Sequence, residues 1–331
     1  MNHEKIIAIK LCGLMKMKRV LVIGAGGQIG SELVPFLRKK YGNENVIATG
    51  RRTKLPETIT EHGPWMYLDA LNQDSLKKVI YEKSIDIVYH MASILSATGE
   101  KMPQTAWDIN INGLINVLEV SRRYDVERVI WPSSIAAFGP TTPRENTPNE
   151  TILQPTTMYG ITKVAGELLA EYYFKKYGLL TLSMRLPGII SSETPPGGGT
   201  TDYAVEIFYE AIKHKKYTCF LREDTMLPML YQPDCLQCHL DFAEKDPSLF
   251  KRYVYNVTGM SFTAGELVAE IKKHIPELKV EYKPDFRQEI ADSWPKSIDD
   301  SLARKEWGWN PKYDLAAMTK DMIEKLSKRL K

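Results

Sequence analysis

The chain has 331 residues, 43% of them hydrophobic and 26% charged, which fits a soluble globular protein with a sizeable core and two lobes. A net charge of +3, with Lys and Arg spread along the chain, argues against a nucleic-acid partner. No apolar run reaches the ~18 residues that cross a membrane, and four cysteines in a chain this long make no disulfide framework.

Residues 1–17 precede the first strand. They carry His3, Lys5, Lys10 and Lys16 against the single acid Glu4, with Ile6, Ile7, Ile9, Leu11, Leu14 and Met15 as an apolar side. This start reads as an organelle-targeting segment of a mitochondrial protein or as a surface-packed extension of a cytoplasmic one. The absence of Ser, and of Arg before Arg19, leaves both readings open.

From Arg19 the pattern alternates. Val20 to Ile23 is an apolar run ended by glycines, as expected of a strand buried on both faces. A helix is expected from Ser31 to Lys40, with Pro35 kinking it locally. Further strands are expected at 45–48, 65–68, 85–90, 128–131 and 180–185, and helices at 74–82, 107–124 and 159–177. Strands alternating with helices at this spacing predict an α/β fold built on a doubly wound parallel sheet, the Rossmann arrangement.

After Pro187 the character changes. Glu193 to Gly199 holds two prolines and three glycines and reads as a loop. A strand is expected at 253–257. Thr263 with Glu266 forms a capping box that opens a helix to His274. A short strand at 279–282 and a C-terminal helix from Asp314 complete a smaller mixed α/β lobe. The expected division is an extension over 1–17, a dinucleotide-binding domain over 18–190 and about 229–258, and a substrate lobe over 191–228 and 259–331.

Cys235-Leu236-Gln237-Cys238-His239 matches the five-residue pattern of covalent haem attachment and also half of a zinc site. No second pair has ligand spacing, since Cys12 and Cys219 stand alone. The stretch follows Pro233-Asp234 and runs into Leu240, Phe242 and Ala243. That suits an Asp-capped amphipathic helix whose cysteines are small packing residues. No metal is expected.

Three motifs carry chemistry. Gly24-Ala25-Gly26-Gly27-Gln28-Ile29-Gly30 lies between strand and helix. Glycines at 24, 27 and 30 permit a tight turn, a close pyrophosphate and close helix packing, and the helix N-terminus offers its N–H groups to phosphate. Tyr159 and Lys163 stand four apart at the start of a helix, so both face one cleft. A cation there favours the phenolate and lowers the phenol's pKa. Ser134, 25 residues before Tyr159, ends a strand where its hydroxyl reaches the same crevice.

In this order and on these elements, the motifs resemble the extended short-chain dehydrogenase/reductase superfamily across about residues 19–190. Four later runs, 185–191, 196–204, 224–229 and 291–300, are similar to the short-chain-type L-threonine 3-dehydrogenases. That resemblance implies oxidation of L-threonine to 2-amino-3-oxobutyrate with NAD. It implies that Ser134 holds the substrate hydroxyl, Tyr159 takes its proton, and Lys163 binds the nicotinamide ribose and tunes Tyr159. Asn110 bears on a proton relay or simply ties helix to strand. Asp69 meets the adenine end, and Met91, Ala92, Ser93 and Pro187 line the cofactor. Ser96, Thr200, Thr201 and Trp294 surround the amino acid, and loop 197–199 is a candidate lid. A homodimer is expected through the helices at 107–124 and 159–177.

Two rival functions remain, a nucleotide-sugar epimerase or dehydratase of the same superfamily and a non-catalytic dinucleotide sensor. The chain also departs from the family at one place. NAD-preferring enzymes usually end the second strand with an acid that binds the adenine ribose. Here Gly50 stands at that position, followed by Arg51 and Arg52, which suit a 2′-phosphate. NAD remains the expected cofactor, with NADP only weakly rejected.

Overall fold

The structure is a computed structural model that describes residues 17–52 and 54–330. The targeting reading and Cys12 lie outside the described residues.

Four buried aliphatics form β1, Val20–Ile23. Their side chains alternate between two cores, Val20 and Val22 entering one while Leu21 and Ile23 enter the other. Period-two alternation with apolar residues on both faces requires a sheet covered on both sides. β1 pairs in parallel with β2, Val46–Gly50, and with β4, Ile87–His90. β2 extends to β3, Trp65–Tyr67, at one edge. β4 extends through β5, Arg128–Ile130, and β7, Leu180–Leu186, to β11, Val254–Asn256. The sheet order is β11-β7-β5-β4-β1-β2-β3, with β6, Ser133–Ser134, pairing β7. Order reverses between β1 and β4, which opens a crevice at their carboxyl ends.

The helices refine the expectations. α1 spans Gln28–Tyr41, starting three residues earlier than predicted and running through Pro35. α2 is Gln73–Glu82, capped by the Asn72 side chain on the Ser75 N–H. The expected single helix 107–124 is a helix over Pro103–Trp107, a π turn over Asp108–Asn112 and then α3, Gly113–Arg123. Such π turns cluster at functional sites, and this one carries Asn110. α4, Met158–Tyr177, is capped by Thr157 and ends at left-handed Gly178. Gly166 lets α4 lie on β5, because a Cβ there would sit 2.3 Å from the Trp131 ring.

The second lobe has its own sheets. β8, Gly188–Ile190, runs parallel to β10, Met226–Tyr231, which pairs antiparallel with β12, Met260–Thr263. β9, Lys216–Cys219, pairs in parallel with β13, Lys279–Tyr282. α5, Tyr203–His214, a helix the sequence reading did not anticipate, packs with α7, Ala264–Lys272, and α8, Leu315–Arg329. Both bonds of the Thr263–Glu266 capping box form, and Asp314 caps α8. Tyr159 and Trp294 belong to this lobe's core, so the site's two aromatic rings share one apolar cluster.

α6, Gln232–Glu244, packs on α1 and lacks the expected Asp cap. Asp234 instead accepts the N–H groups of Lys312 and Tyr313, at 3.0 and 3.1 Å, and ties the C-terminal segment down. Cys235, Cys238 and His239 are fully buried on α6, and the His239 ring lies 2.7 Å from the Cys235 carbonyl. Among the described residues no three His, Cys, Asp or Glu side chains are placed to hold a metal, and no helix is long and apolar enough to cross a membrane.

Candidate active site

The crevice starts with backbone. Gly24 turns at φ +87°, where a Cβ would meet Ala92 N at 2.6 Å. At Gly30 a Cβ would lie 2.3 Å from the Gly24 carbonyl, so only glycine lets α1 begin there. The first helical bond runs from Ser31 N–H to Gly27 O, leaving the N–H groups of Gln28, Ile29 and Gly30 ahead of it. No side chain caps this end and no acid sits in its first turn. The geometry fits a dinucleotide pyrophosphate.

Two clefts meet there, and Gly27, Met91 and Ser93 line both. The outer cleft adds Gly24, Arg51, Asp69 and Ala92, beside Gly50 at the end of β2. The inner cleft, about 220 Å³, is reached by Gln28, Ile29, Gly30 and Pro187 from the cofactor side. Ser134, Tyr159 and Lys163 form its wall, and Ser96, Thr200, Thr201 and Trp294 close it. Every residue to which the family resemblance assigns a site role lines one cleft or the other except Asn110, whereas Arg52, Gly197 and Gly198 line neither.

Asn110 lies behind the wall. Its amide oxygen accepts the Ile94 N–H at 2.8 Å and the Ser93 hydroxyl at 3.1 Å, and its NH2 donates to Ile94 O and Thr162 Oγ1, both at 3.0 Å. With those four bonds the group clamps the π turn, the loop after β4 and α4 together.

The electrostatics differ from the simple expectation. Burial pushes the Tyr159 phenol up to about 12, against the lowering effect of its hydrogen bond with Ser134. Lys163 is drawn down to about 7 by burial, with Glu167 pulling it back up. Its ammonium donates to Pro132 O at 2.8 Å and lies 5.2 Å from the Tyr159 ring centre. Desolvation outweighs the Ser134 hydrogen bond, and the Lys163 ammonium does not bring the phenol down as the sequence led one to expect. Ser134 accepts the Ala136 N–H at 3.2 Å and hydrogen-bonds the Tyr159 phenol.

Two carboxylates that the motif reading passed over shape the cleft's roof. Asp202 Oδ2 accepts the consecutive N–H groups of Gly197, Gly198 and Gly199, at 2.7, 2.7 and 2.8 Å. Glu32 on α1 accepts the hydroxyls of Ser191 and Thr194, at 2.5 and 2.8 Å, and burial raises its pKa. Loop 191–199 is thus fastened to α1 at one end and wrapped around Asp202 at the other. An acid three residues after Gly-Gly-Gly was the legible signal for Asp202; Glu32 had none.

Residues 20–258 match the model of the NAD dependent epimerase/dehydratase family. The chain belongs to that family. An epimerase/dehydratase relative, uncharacterised, from Staphylococcus haemolyticus is 48% identical over 315 residues, 95% of this chain and 99% of the relative. Among solved structures, an L-threonine dehydrogenase from Phytophthora infestans is 49% identical with a TM-score of 0.90, covering 94% of this chain and all of that one (100%). The enzyme of the same name from Clostridium difficile is 48% identical with a TM-score of 0.92, over 95% and 98% of the two chains. A UDP-glucose 4-epimerase from Thermotoga maritima, at 23% identity and a TM-score of 0.84, shares the fold. As an epimerase/dehydratase family member of the extended short-chain dehydrogenase/reductase type, the protein is an oxidoreductase that uses a nicotinamide dinucleotide.

Proposed function

We propose that the protein oxidises the β-hydroxyl of L-threonine to 2-amino-3-oxobutyrate, with NAD as its main cofactor. The observation that carries this reading is the inner cleft. Ser134 and Tyr159 stand in its wall, and Thr200 lines it with a buried hydroxyl that has no hydrogen-bond partner among the described residues. An unpaired buried hydroxyl costs about 1–3 kcal/mol, which a polar ligand group relieves. A cleft of about 220 Å³ suits a small amino acid better than a nucleotide-sugar. The L-threonine dehydrogenases among the solved structures support the same substrate.

In this mechanism Ser134 donates to the substrate oxygen and Tyr159, in its phenolate form, takes the hydroxyl proton. Lys163, whose ammonium is anchored on Pro132 O, would hold the nicotinamide ribose. When bound, the nicotinamide supplies the hydride acceptor. Trp294 would pack against the substrate methyl, and Asp69 and Arg51 would attend the adenine end. Asn110 keeps Thr162, and with it the Tyr159–Lys163 turn, in place. Reduction of NAD by L-threonine, L-serine and simple 3-hydroxy acids, alongside UDP-sugar turnover, tests the reading; a preference for anything but L-threonine overturns it.

We further propose a homodimer. Ile161, Leu168 and Tyr172 recur at helical spacing on α4 and are exposed, as is Trp107 before α3. Such a face suits a two-fold helix bundle. One solved relative, 45% identical, is a monomeric L-threonine 3-dehydrogenase. A monomer mass by light scattering at micromolar concentration would exclude the dimer.

A further inference from the structure

Behind Lys163 lies a buried ion pair that the catalytic motif does not include. Glu167 follows Lys163 by four residues on α4, so Tyr159, Lys163 and Glu167 share one helix face. Glu167 is 5% exposed, and its Oε1 accepts the Ser133 hydroxyl at 2.5 Å and Arg185 Nε at 2.9 Å. Its Oε2 accepts Arg185 Nη2 at 2.8 Å. Arg185, on β7, spends Nη1 on Asn149 O at 2.6 Å and on Asn256 Oδ1 at 3.3 Å. Its guanidinium also lies 5.0 Å from the centre of the Phe138 ring.

The network continues into the second lobe. Asn256 donates to the carbonyls of Thr147 and Asp299, at 3.1 and 3.2 Å. Thr147 N–H bonds Ser297 O at 3.0 Å, and Arg144 donates to Trp294 O at 3.3 Å. Bonded contacts therefore run from the catalytic helix to the segment that carries Trp294. A buried ion pair adds little stability over apolar residues of the same volume, so stability alone does not account for its place here.

We propose that Glu167 and Arg185 are positioning residues. Glu167 sets the charge behind Lys163 and fixes Ser133 beside Ser134, while Arg185 joins that wall to the Trp294 segment. This rests on the Tyr159–Lys163 reading given above. The groups facing Lys163 are Tyr159 and Glu167 from α4, His90 from β4, and the Pro132 carbonyl and Trp131 ring after β5. Arg185 faces Glu167 from β7. His90 is buried and neutral, so Glu167 is the anion that opposes the loss of the ammonium's proton through burial.

The test is the pH dependence of NADH affinity, read by fluorescence, and of turnover of L-threonine. Lys163 loses its proton as pH rises, and Glu167→Gln should make that loss begin earlier. The alkaline limb of affinity is expected to move down by about one pH unit, roughly tenfold weaker binding on the limb itself. Turnover should show the same displaced limb. Because Gln leaves Arg185 buried and unpaired, the double variant Glu167→Gln, Arg185→Met serves if the single one does not fold. It should move the limb in the same direction by less. A folded variant of either kind whose limb coincides with the wild type overturns the proposal. The NADH arm needs no substrate: a displaced limb in an enzyme inactive on L-threonine supports the positioning role and overturns the substrate reading.

Discussion

At Tyr159 burial and hydrogen bonding pull in opposite directions, and burial prevails, leaving a phenol near 12. In the proposed mechanism Tyr159 is the base and Ser134 and Lys163 assist it, so a phenylalanine keeps the packing and loses the base. Tyr159→Phe should lower kcat by about 10²–10⁴-fold with dinucleotide affinity nearly intact. Wild-type kcat in that variant would remove Tyr159 from the role. At Gly50 the acid is missing and Arg51 lines the same outer cleft, so the proposed preference for NAD carries only weak exclusion of NADP. Gly50→Asp should raise the KM for NADP by about tenfold or more and change the KM for NAD little. Equal effects on both would show that the position does not read the 2′-phosphate. Tyr159 and Lys163 stood out in the sequence because they lie one helical turn apart, and Ser134 because it ends a strand on the same crevice. Their electrostatics did not, because the burial of Lys163 and its Glu167 neighbour depends on β5, β6 and β7, which no spacing rule brings together.

Elements were legible where period and capping agreed. The alternating aliphatics of β1 and the Thr263–Glu266 box are examples, since each encodes its own geometry within a few residues. The misread elements depend on tertiary contact. The π turn at 108–112 forms where Asn110 fills its bonds from the loop after β4 and from α4, and a helical period does not reveal the extra residue in the turn. α5 went unnoticed because it follows a glycine-rich loop and starts without a side-chain cap. Helix placement also rests on single glycines. Gly166→Ala forces a Cβ to within 2.3 Å of the Trp131 ring, beside Lys163. Overpacking of this kind should destabilise the protein by about 1–3 kcal/mol. Denaturant unfolding would show it, and an unchanged midpoint would mean that α4 shifts freely on β5.

At the scale of the molecule, buried neutral histidines make stability depend on pH. His90 is held down to about 3 by burial and by Lys163. His239 is held down to about 4 by burial, with the Cys235 carbonyl opposing. Both folded values lie below the unfolded one, so the unfolded chain takes up these protons first as pH falls. Their share of stability is whole above pH ~6.5 and is lost as pH falls toward 4 and 3. At pH 5 the loss is about 2 kcal/mol for each. Denaturant unfolding at pH 7 and pH 5 should show it, and His239→Leu should reduce the drop by about 2 kcal/mol. An equal drop in both proteins would contradict this.

The parallel order of the main sheet was readable from alternation alone, whereas the second lobe's two small sheets were not. Their strands pair across long separations, β8 with β10 and β9 with β13, without a repeating crossover. The inner cleft's size and the hydroxyls of Ser134, Tyr159 and Thr200 in its wall support the proposed substrate. The most direct test is kcat/KM for L-threonine with NAD, measured beside NADP and beside L-serine. A strong preference for L-threonine, with NAD favoured over NADP, is the predicted result. Failure to reduce either dinucleotide with L-threonine, or equal turnover of L-serine, would contradict the assignment.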